Sequence, residues 1–219
     1  MSALARCCML WGIRVSGYDR QSSLITDALV AEGARIHFDD DPEEIDGHPD
    51  LVIYTPAIPA DSRLRAHFIR FNVPMVKRSE ALESVTMGID TIAVAGTHGK
   101  TTTSSMISYL LYGAGIKHTA ILGGIAANYH SNFHSESLEL MVVEADEYDT
   151  AFFYKRSKFV HYHAKTAILN NLEFDHADIF PDIAAIETQF HHLVRTVPGI
   201  GRLIVNAKEE SLQCVVKRG

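Results

Sequence analysis

The stretch Ala93-Val94-Ala95-Gly96-Thr97-His98-Gly99-Lys100-Thr101-Thr102-Thr103 constrains this chain more than any other. The apolar run from Thr91 to Ala95 reads as a buried parallel strand, and Ser104 to Tyr112 carries a helical pattern. A strand, a glycine-punctuated turn, Lys-Thr and a helix are what a phosphate-binding loop requires. Helix N-terminal amides attract anions, and glycine lets the backbone approach them closely. Lys100 adds a point charge for a terminal phosphate, and the Thr101 hydroxyl suits Mg²⁺. ATP handling is therefore the first expectation. The pattern G-x-x-x-x-G-K-[ST] would put glycine at position 94, where this chain has Val94, so the loop is a shortened variant. The competing reading is an ordinary glycine-rich turn between strand and helix.

Composition removes several alternatives. With 219 residues, 47% hydrophobic and 21% charged, the chain has globular composition and room for one large or two modest domains. Lys+Arg 20 against Asp+Glu 27 leaves a net charge of −7 and no basic stripe, which argues against nucleic acid. An acidic chain that binds an anionic nucleotide must concentrate positive potential locally, at loop amides, Lys100 and a cation. Cys7, Cys8 and Cys214 form no C-x-x-C pair, so neither a disulfide framework nor a zinc knuckle is expected and a reducing cytoplasm fits. No apolar run approaches the ~18 residues of a membrane span, and the N-terminus lacks a signal-peptide pattern.

Along the chain, Met1 to Leu10 looks helical and Arg14 to Gly17 strand-like. Ser22 or Ser23 caps a helix that Gly33 ends. Strands are expected at Arg35 to Phe38, Leu51 to Tyr54 and Val73 to Val76, with helices at Leu64 to Phe71 and Ser79 to Val85. The alternation predicts an α/β fold with a doubly wound parallel sheet. The first element is a helix, with no strand or glycine-rich turn before it, so this Rossmann-like unit is expected to start one element late. Gly88 to Asp90 reads as a linker. The expected domains are 1–88, Rossmann-like, and 89–219, a central ATP-binding domain with a mainly parallel sheet. The second holds strands at Leu140 to Val143, Ala167 to Leu169 and Leu203 to Val205, and a helix around Ile183 to Val194.

Two strand exits carry chemistry. Leu140 to Val143 delivers Glu144-Ala145-Asp146-Glu147-Tyr148-Asp149, and a carboxylate at the end of a buried strand beside a phosphate loop is where Mg²⁺ is held. A solvated acidic exit is the plain alternative. Ala167 to Asn171 delivers Asp175-His176, where a neutral imidazole can bind a divalent ion. His161 with His163, and His191 with His192, lack zinc spacing. Lys155, Arg156 and Lys158 read as a solvated turn.

Gly96 to Thr102, Glu144 to Glu147 and Asp175-His176 together resemble the Mur ligases of peptidoglycan synthesis, in the branch that acts on UDP-N-acetylmuramate. The resemblance covers nearly the whole chain. Glu144 to Tyr162, Asn170 to Phe180 and Gln189 to Arg195 resemble members whose incoming amine is L-alanyl-γ-D-glutamyl-meso-diaminopimelate. Thr55 to Pro59 and Gly123 to Ile125 look as much like members that add L-alanine.

The resemblance implies ATP and Mg²⁺ as cofactors and an acyl phosphate as intermediate. It implies that Lys100 contacts the terminal phosphate, that Thr101 and Glu144 hold one Mg²⁺, and that His176 holds a second. Gly96, Thr97, His98, Gly99 and Thr102 would then line the phosphates. Asp19 and the loop Thr55 to Ile58 are weaker expectations for the UDP part. No lysine lies between His176 and Lys208, so the carbamylated lysine of many Mur ligases has no counterpart here. By the same resemblance both domains look truncated and a C-terminal domain is missing, so the chain alone is expected not to turn over. Two readings compete: a phosphate-loop switch without amide chemistry, and a dinucleotide-dependent oxidoreductase, which the absence of G-x-G-x-x-G disfavours.

Overall fold

The computed structural model describes residues 1–145, 149–151, 154–157, 162–174, 180 and 182–218. They form two compact units, Met1–Leu82 and Glu83–Gly219.

The first unit opens with helix α1 (Ser2–Leu10) and then runs β1 (Ser16–Tyr18), α2 (Leu24–Ala31), β2 (Arg35–His37), a 3-10 turn (Pro42–Glu44), β3 (Val52–Tyr54), α3 (Arg63–Arg70) and β4 (Met75–Lys77). Ser23 caps α2 in a reciprocal capping box with Thr26, and Ser62 caps α3 by accepting from the Arg65 amide. The strands pair in parallel as β1 with β2 and β3 with β4. Each pair and its crossover helix form one βαβ unit. The two pairs are separate two-stranded parallel sheets, and every strand is three residues long. Strands this short carry few ladder bonds, so burial under the helices has to hold them. Arg6 makes a bidentate pair with Glu32 (2.6 and 2.8 Å) that ties α1 to the end of α2.

Helix α4 (Arg78–Thr86) runs across the boundary, and the second unit continues with β5 (Asp90–Ala95), α5 (Lys100–Gly113), β6 (Thr119–Ala126), β7 (Ser131–Ser135), β8 (Leu140–Ala145), β9 (Asp149–Ala151), β10 (Tyr154–Ser157), β11 (Thr166–Leu169), α6 (Ile183–Thr196), β12 (Arg202–Val205) and α7 (Glu210–Lys217). Six strands make one sheet in the order β12-β11-β5-β8-β6-β7. All pairings are parallel except β6 with β7. A parallel strand covered on both faces reads as a continuous apolar run, and Met141, Val142 and Val143 of β8 are each at most 1% exposed.

The hairpin β6–β7 and the small antiparallel pair β9–β10 escape the sequence reading. Two glycines interrupt β6, β7 is mostly Ser, Asn and His, and β9 and β10 are only three and four residues long and mostly polar, so neither a long apolar run nor an alternation marks them as strands. Helix α6 buries Ile186, Phe190, Leu193 and Val194, one stripe at helical spacing, and packs on α7. Each fully buried Phe or Leu there contributes roughly 1.5–3 kcal/mol.

Candidate nucleotide site at the strand ends

Register decides where the site lies. Ala95 of β5 pairs with Leu169 of β11 on one side and with Ala145 of β8 on the other. These three parallel strands therefore end at one level, and their exit loops leave from the same sheet edge. In open α/β sheets ligands bind outside the carboxyl ends of the strands.

The loop after β5 is bent by two glycines. Gly96 has φ +153°, and a Cβ there would lie 3.0 Å from Asn170 Cβ and 3.1 Å from Asn171 Oδ1, so a side chain would be both strained and crowded. Gly99, with φ +75°, is the left-handed residue immediately before α5. The helix begins at Lys100 rather than at Ser104. The run Thr101-Thr102-Thr103-Ser104-Ser105 has modest helix propensity, and packing against β6 and β8 overrides it. Ser104 and Ser108 face inward, and their small size lets α5 approach the sheet. Lys100, Thr101 and Thr102 thus occupy the first turn, whose amides have no intrahelical partners. The cap residue is Gly99, which has no side chain to occupy those amides. That is the arrangement an anion requires.

Asn170 and Asn171 hold the loop in shape. The Asn171 side-chain oxygen accepts from the His98 amide at 2.9 Å, and its carbonyl accepts from the Thr97 amide at 3.3 Å. Asn170 Nδ2 donates to Thr103 Oγ1 at 2.9 Å. The buried Thr97 hydroxyl accepts from the Glu173 amide at 3.0 Å and lies 3.2 Å from the Glu173 carbonyl, to which it donates. Thr97 therefore braces the loop rather than lining it. The sequence marks the two asparagines only as part of a resembling segment; two amides directly after a buried strand are the signal for a loop-bracing role. A cleft of about 420 Å³ opens beside them, lined by His98, Gly99, Asn170, Asn171, Ile204 and Asn206 among others.

Lys100 Nζ donates to the Gly96 carbonyl at 2.6 Å and to the Thr97 carbonyl at 3.3 Å, which keeps its charge at the mouth of the loop. Thr101 Oγ1 donates to Glu144 Oε2 at 2.9 Å. The Gly123 amide donates to Glu144 Oε1, and a Cβ on Gly123 would run into that carboxylate. A Cβ on Gly124 would touch Thr101 Cγ2 at 3.3 Å. The Gly-Gly pair in β6 is therefore a space-maker for Glu144 and Thr101, a role that sequence reading misses. The donor set fits Mg²⁺: a hydroxyl and a carboxylate are hard oxygen ligands, and with their protein hydrogen bonds made both retain lone pairs.

His176, Asp175, Asp146, Glu147, Lys158 and His161 lie outside the described residues. Elsewhere, Asp19 comes directly after β1 and accepts from the Gln21 amide, and Thr55 to Ile58 forms a turn after β3 closed by the Ile58 amide on the Thr55 carbonyl. Both sit at strand exits of the first unit, in separate strand pairs. His191 and His192 have rings 6.4 Å apart, and His163 pairs with Glu83.

A mainly parallel sheet whose central strand feeds a glycine-bent loop and a helix that starts at a glycine cap defines a phosphate-loop α/β protein. The sequence places it further: residues 94–218 match the Mur ligase middle domain and residues 1–88 match the Mur ligase family, catalytic domain. The chain belongs to the Mur ligase family. It is 40% identical over 221 positions to the UDP-N-acetylmuramate–L-alanyl-gamma-D-glutamyl-meso-2,6-diaminoheptandioate ligase of Escherichia coli, covering 100% of this chain and 48% of that one. It is 38% identical to the UDP-N-acetylmuramate–L-alanine ligase of Flavobacterium johnsoniae, covering 99% and 48%. The crystal structure of a UDP-N-acetylmuramate:L-alanyl-gamma-D-glutamyl-meso-diaminopimelate ligase from Neisseria meningitides superposes with a TM-score of 0.88 at 38% identity, covering 100% of this chain and 71% of that one. The chain spans about half the length of the curated relatives it matches.

Proposed function

We propose that this chain carries the nucleotide-binding half of an ATP-dependent ligase that joins the carboxylate of UDP-N-acetylmuramate to the amine of L-alanyl-γ-D-glutamyl-meso-diaminopimelate in peptidoglycan recycling. The observation that carries this reading is the Thr101–Glu144 pair, placed beside the Lys100 loop at a common strand edge. Names and identities of the relatives support the tripeptide. L-alanine is the second reading, supported by the 38% identity to an L-alanine ligase. Free cysteines and nucleotide substrates fit a cytoplasmic setting. Among the described residues no helix is long and apolar enough to cross a membrane.

Phosphoryl transfer is mainly positioning and charge stabilisation. In this reading the amides of the first turn of α5, with Gly96, His98, Gly99 and Thr102, hold the phosphates. Lys100 neutralises charge on the terminal phosphate. Thr101 and Glu144 would hold Mg²⁺ and His176 would contribute to a second ion; such ions, when bound, would supply positive charge against the phosphates. The muramyl carboxylate attacks the terminal phosphorus; the bond to the ADP oxygen breaks, and an acyl phosphate forms. The amine nitrogen then attacks the acyl carbon, phosphate leaves with the bonding pair, and the amine loses a proton. Domain closure completes sites of this kind, and the chain spans about half the length of the curated relatives it matches, so nucleotide binding is the property tested on it.

The test is a thermal-stability scan of the chain with ATP, with and without Mg²⁺, and with UDP-N-acetylmuramate or NAD. Stabilisation by Mg²⁺–ATP and by UDP-N-acetylmuramate is expected. Stabilisation by NAD and not by ATP would refute the ligase reading. In the full-length protein, ATP hydrolysis that needs both UDP-N-acetylmuramate and the tripeptide separates the tripeptide from L-alanine.

A further inference from the structure

The edge hairpin β6–β7 brings three metal-type ligands onto one face, and nothing in the nucleotide site uses them. Ala120 pairs with His134 and Thr119 with Ser135. The Glu136 amide then donates to the His118 carbonyl at 3.0 Å, so His118 stands opposite Glu136. Side chains two apart on a strand share a face, which puts His118, His134 and Glu136 together. One donor atom from each lies within 4.8 Å of the other two, the one such group found among the described residues.

The imidazoles are already oriented. His118 is fully buried, and its Nδ1 lies 2.9 Å from the Ile116 carbonyl. That bond fixes the proton on Nδ1 and leaves Nε2 with its lone pair, which meets Ser108 Oγ at 2.7 Å. Metal-binding histidines are held in this way, one N–H on a carbonyl and the other nitrogen free to ligate. His134 Nε2 is buried with no hydrogen-bond partner, and Glu136 Oε2 is 3.4 Å from it. Buried polar atoms rarely go unsatisfied, and a cation between these groups would satisfy this one. Tyr129 stacks on the His134 ring at 4.2 Å and fixes its plane.

We infer that His118, His134 and Glu136 form a binding site for a Zn²⁺-type ion. Two imidazoles and one carboxylate suit a borderline ion and leave one coordination position for water; Mg²⁺ prefers oxygen alone. Ser108 gives up its bond to His118 when the ion arrives and keeps the Tyr129 hydroxyl, now at 2.8 Å. Glu136, the exposed member, provides the entry path. The ion pins the edge hairpin at the end of β6 remote from Gly123, so its binding does not depend on the ligase reading.

The test uses the 219-residue chain stripped with a chelator. Zn²⁺ is titrated against a chromophoric chelator with Mg²⁺ in excess, so that hard-oxygen sites are filled. One Zn²⁺ per chain is expected, and Co²⁺ in its place should give the intense visible bands of a tetrahedral site. His134→Ala and Glu136→Gln, both at positions that are not fully buried, should each weaken Zn²⁺ binding by about tenfold or more. His118→Ala should do the same, with circular dichroism confirming the fold. Absence of saturable binding, or equal binding in the His134 and Glu136 variants, overturns the site.

Discussion

The Thr101 hydroxyl donates to Glu144 Oε2 at 2.9 Å, joining the first turn of α5 to the last residues of the neighbouring strand β8. This contact brings a hydroxyl and a carboxylate to one point beside the anion-binding amides. Thr101→Val keeps the shape and removes the oxygen proposed to hold Mg²⁺. The Mg²⁺-dependent part of nucleotide affinity should fall by about tenfold to a hundredfold, the usual cost of losing a metal-site partner. Calorimetric titration with ATP, with and without Mg²⁺, reads this directly. Equal losses in both conditions would mean that Thr101 serves the loop rather than the ion.

Two glycines should respond differently to alanine. At Gly123 the three atoms nearest the new methyl would all belong to the Glu144 carboxylate, the far end of a side chain that can swing away. Gly123→Ala should fold with nearly unchanged stability yet lose its Mg²⁺ response. At Gly201 the methyl would lie 2.5 Å from the Lys165 carbonyl oxygen, 2.7 Å from Val197 Cγ1 and 2.9 Å from the Pro198 carbonyl oxygen. Backbone oxygens do not step aside, so Gly201→Ala should cost about 1–3 kcal/mol. Urea denaturation of both variants, paired with nucleotide titration, checks the contrast.

Asp40 supplies a pH dependence in the first unit. Partial desolvation opposes its charge. The amides of Leu64 and Arg63, the Ser62 hydroxyl and the Arg63 charge outweigh it and hold the carboxyl below its ordinary value. Its folded pKa is depressed, so its contribution is present above the unfolded pKa of about 4 and is lost as pH falls through the lower folded value. Asp40→Asn should therefore destabilise α3 at pH 7, and the difference from the parent should vanish in acid. Thermal melts of both proteins between pH 7 and pH 3 measure the convergence; a constant difference would rule the account out.

The thiols should label in order of access. Burial, and then the neighbouring Cys8, push the Cys7 thiol up to about 12, so almost no thiolate exists at pH 8. Cys214 is exposed on α7. A disulfide reagent at pH 8 should modify Cys214 quickly and Cys7 only at the rate at which α1 opens. Mass spectrometry of timed samples assigns the sites; rapid labelling of Cys7 would show that α1 does not stay packed.

Much of the site was legible in the primary structure. Lys100 and Thr101 come after a glycine turn that ends a buried run, and Glu144 ends another, because a covered parallel strand must be apolar throughout and its first polar residue marks the sheet edge. The bracing asparagines Asn170 and Asn171, the space-making Gly123 and Gly124, and the pairing of His118 with Glu136 were not legible. Each depends on contacts across strands that are far apart in sequence.

Local pattern by itself determined most of the helices and the parallel strands, the glycine-punctuated turn before Lys100, and which residue types end the apolar runs; the strands of β6–β7 and β9–β10 were not in it. Tertiary structure alone decided strand order and register. These place Ala95, Leu169 and Ala145 level and let Thr101 reach Glu144, forty-three residues away. The physical reason is range. Propensity and periodicity act over a few residues, whereas register is fixed by burying every apolar face and pairing every ladder amide at once.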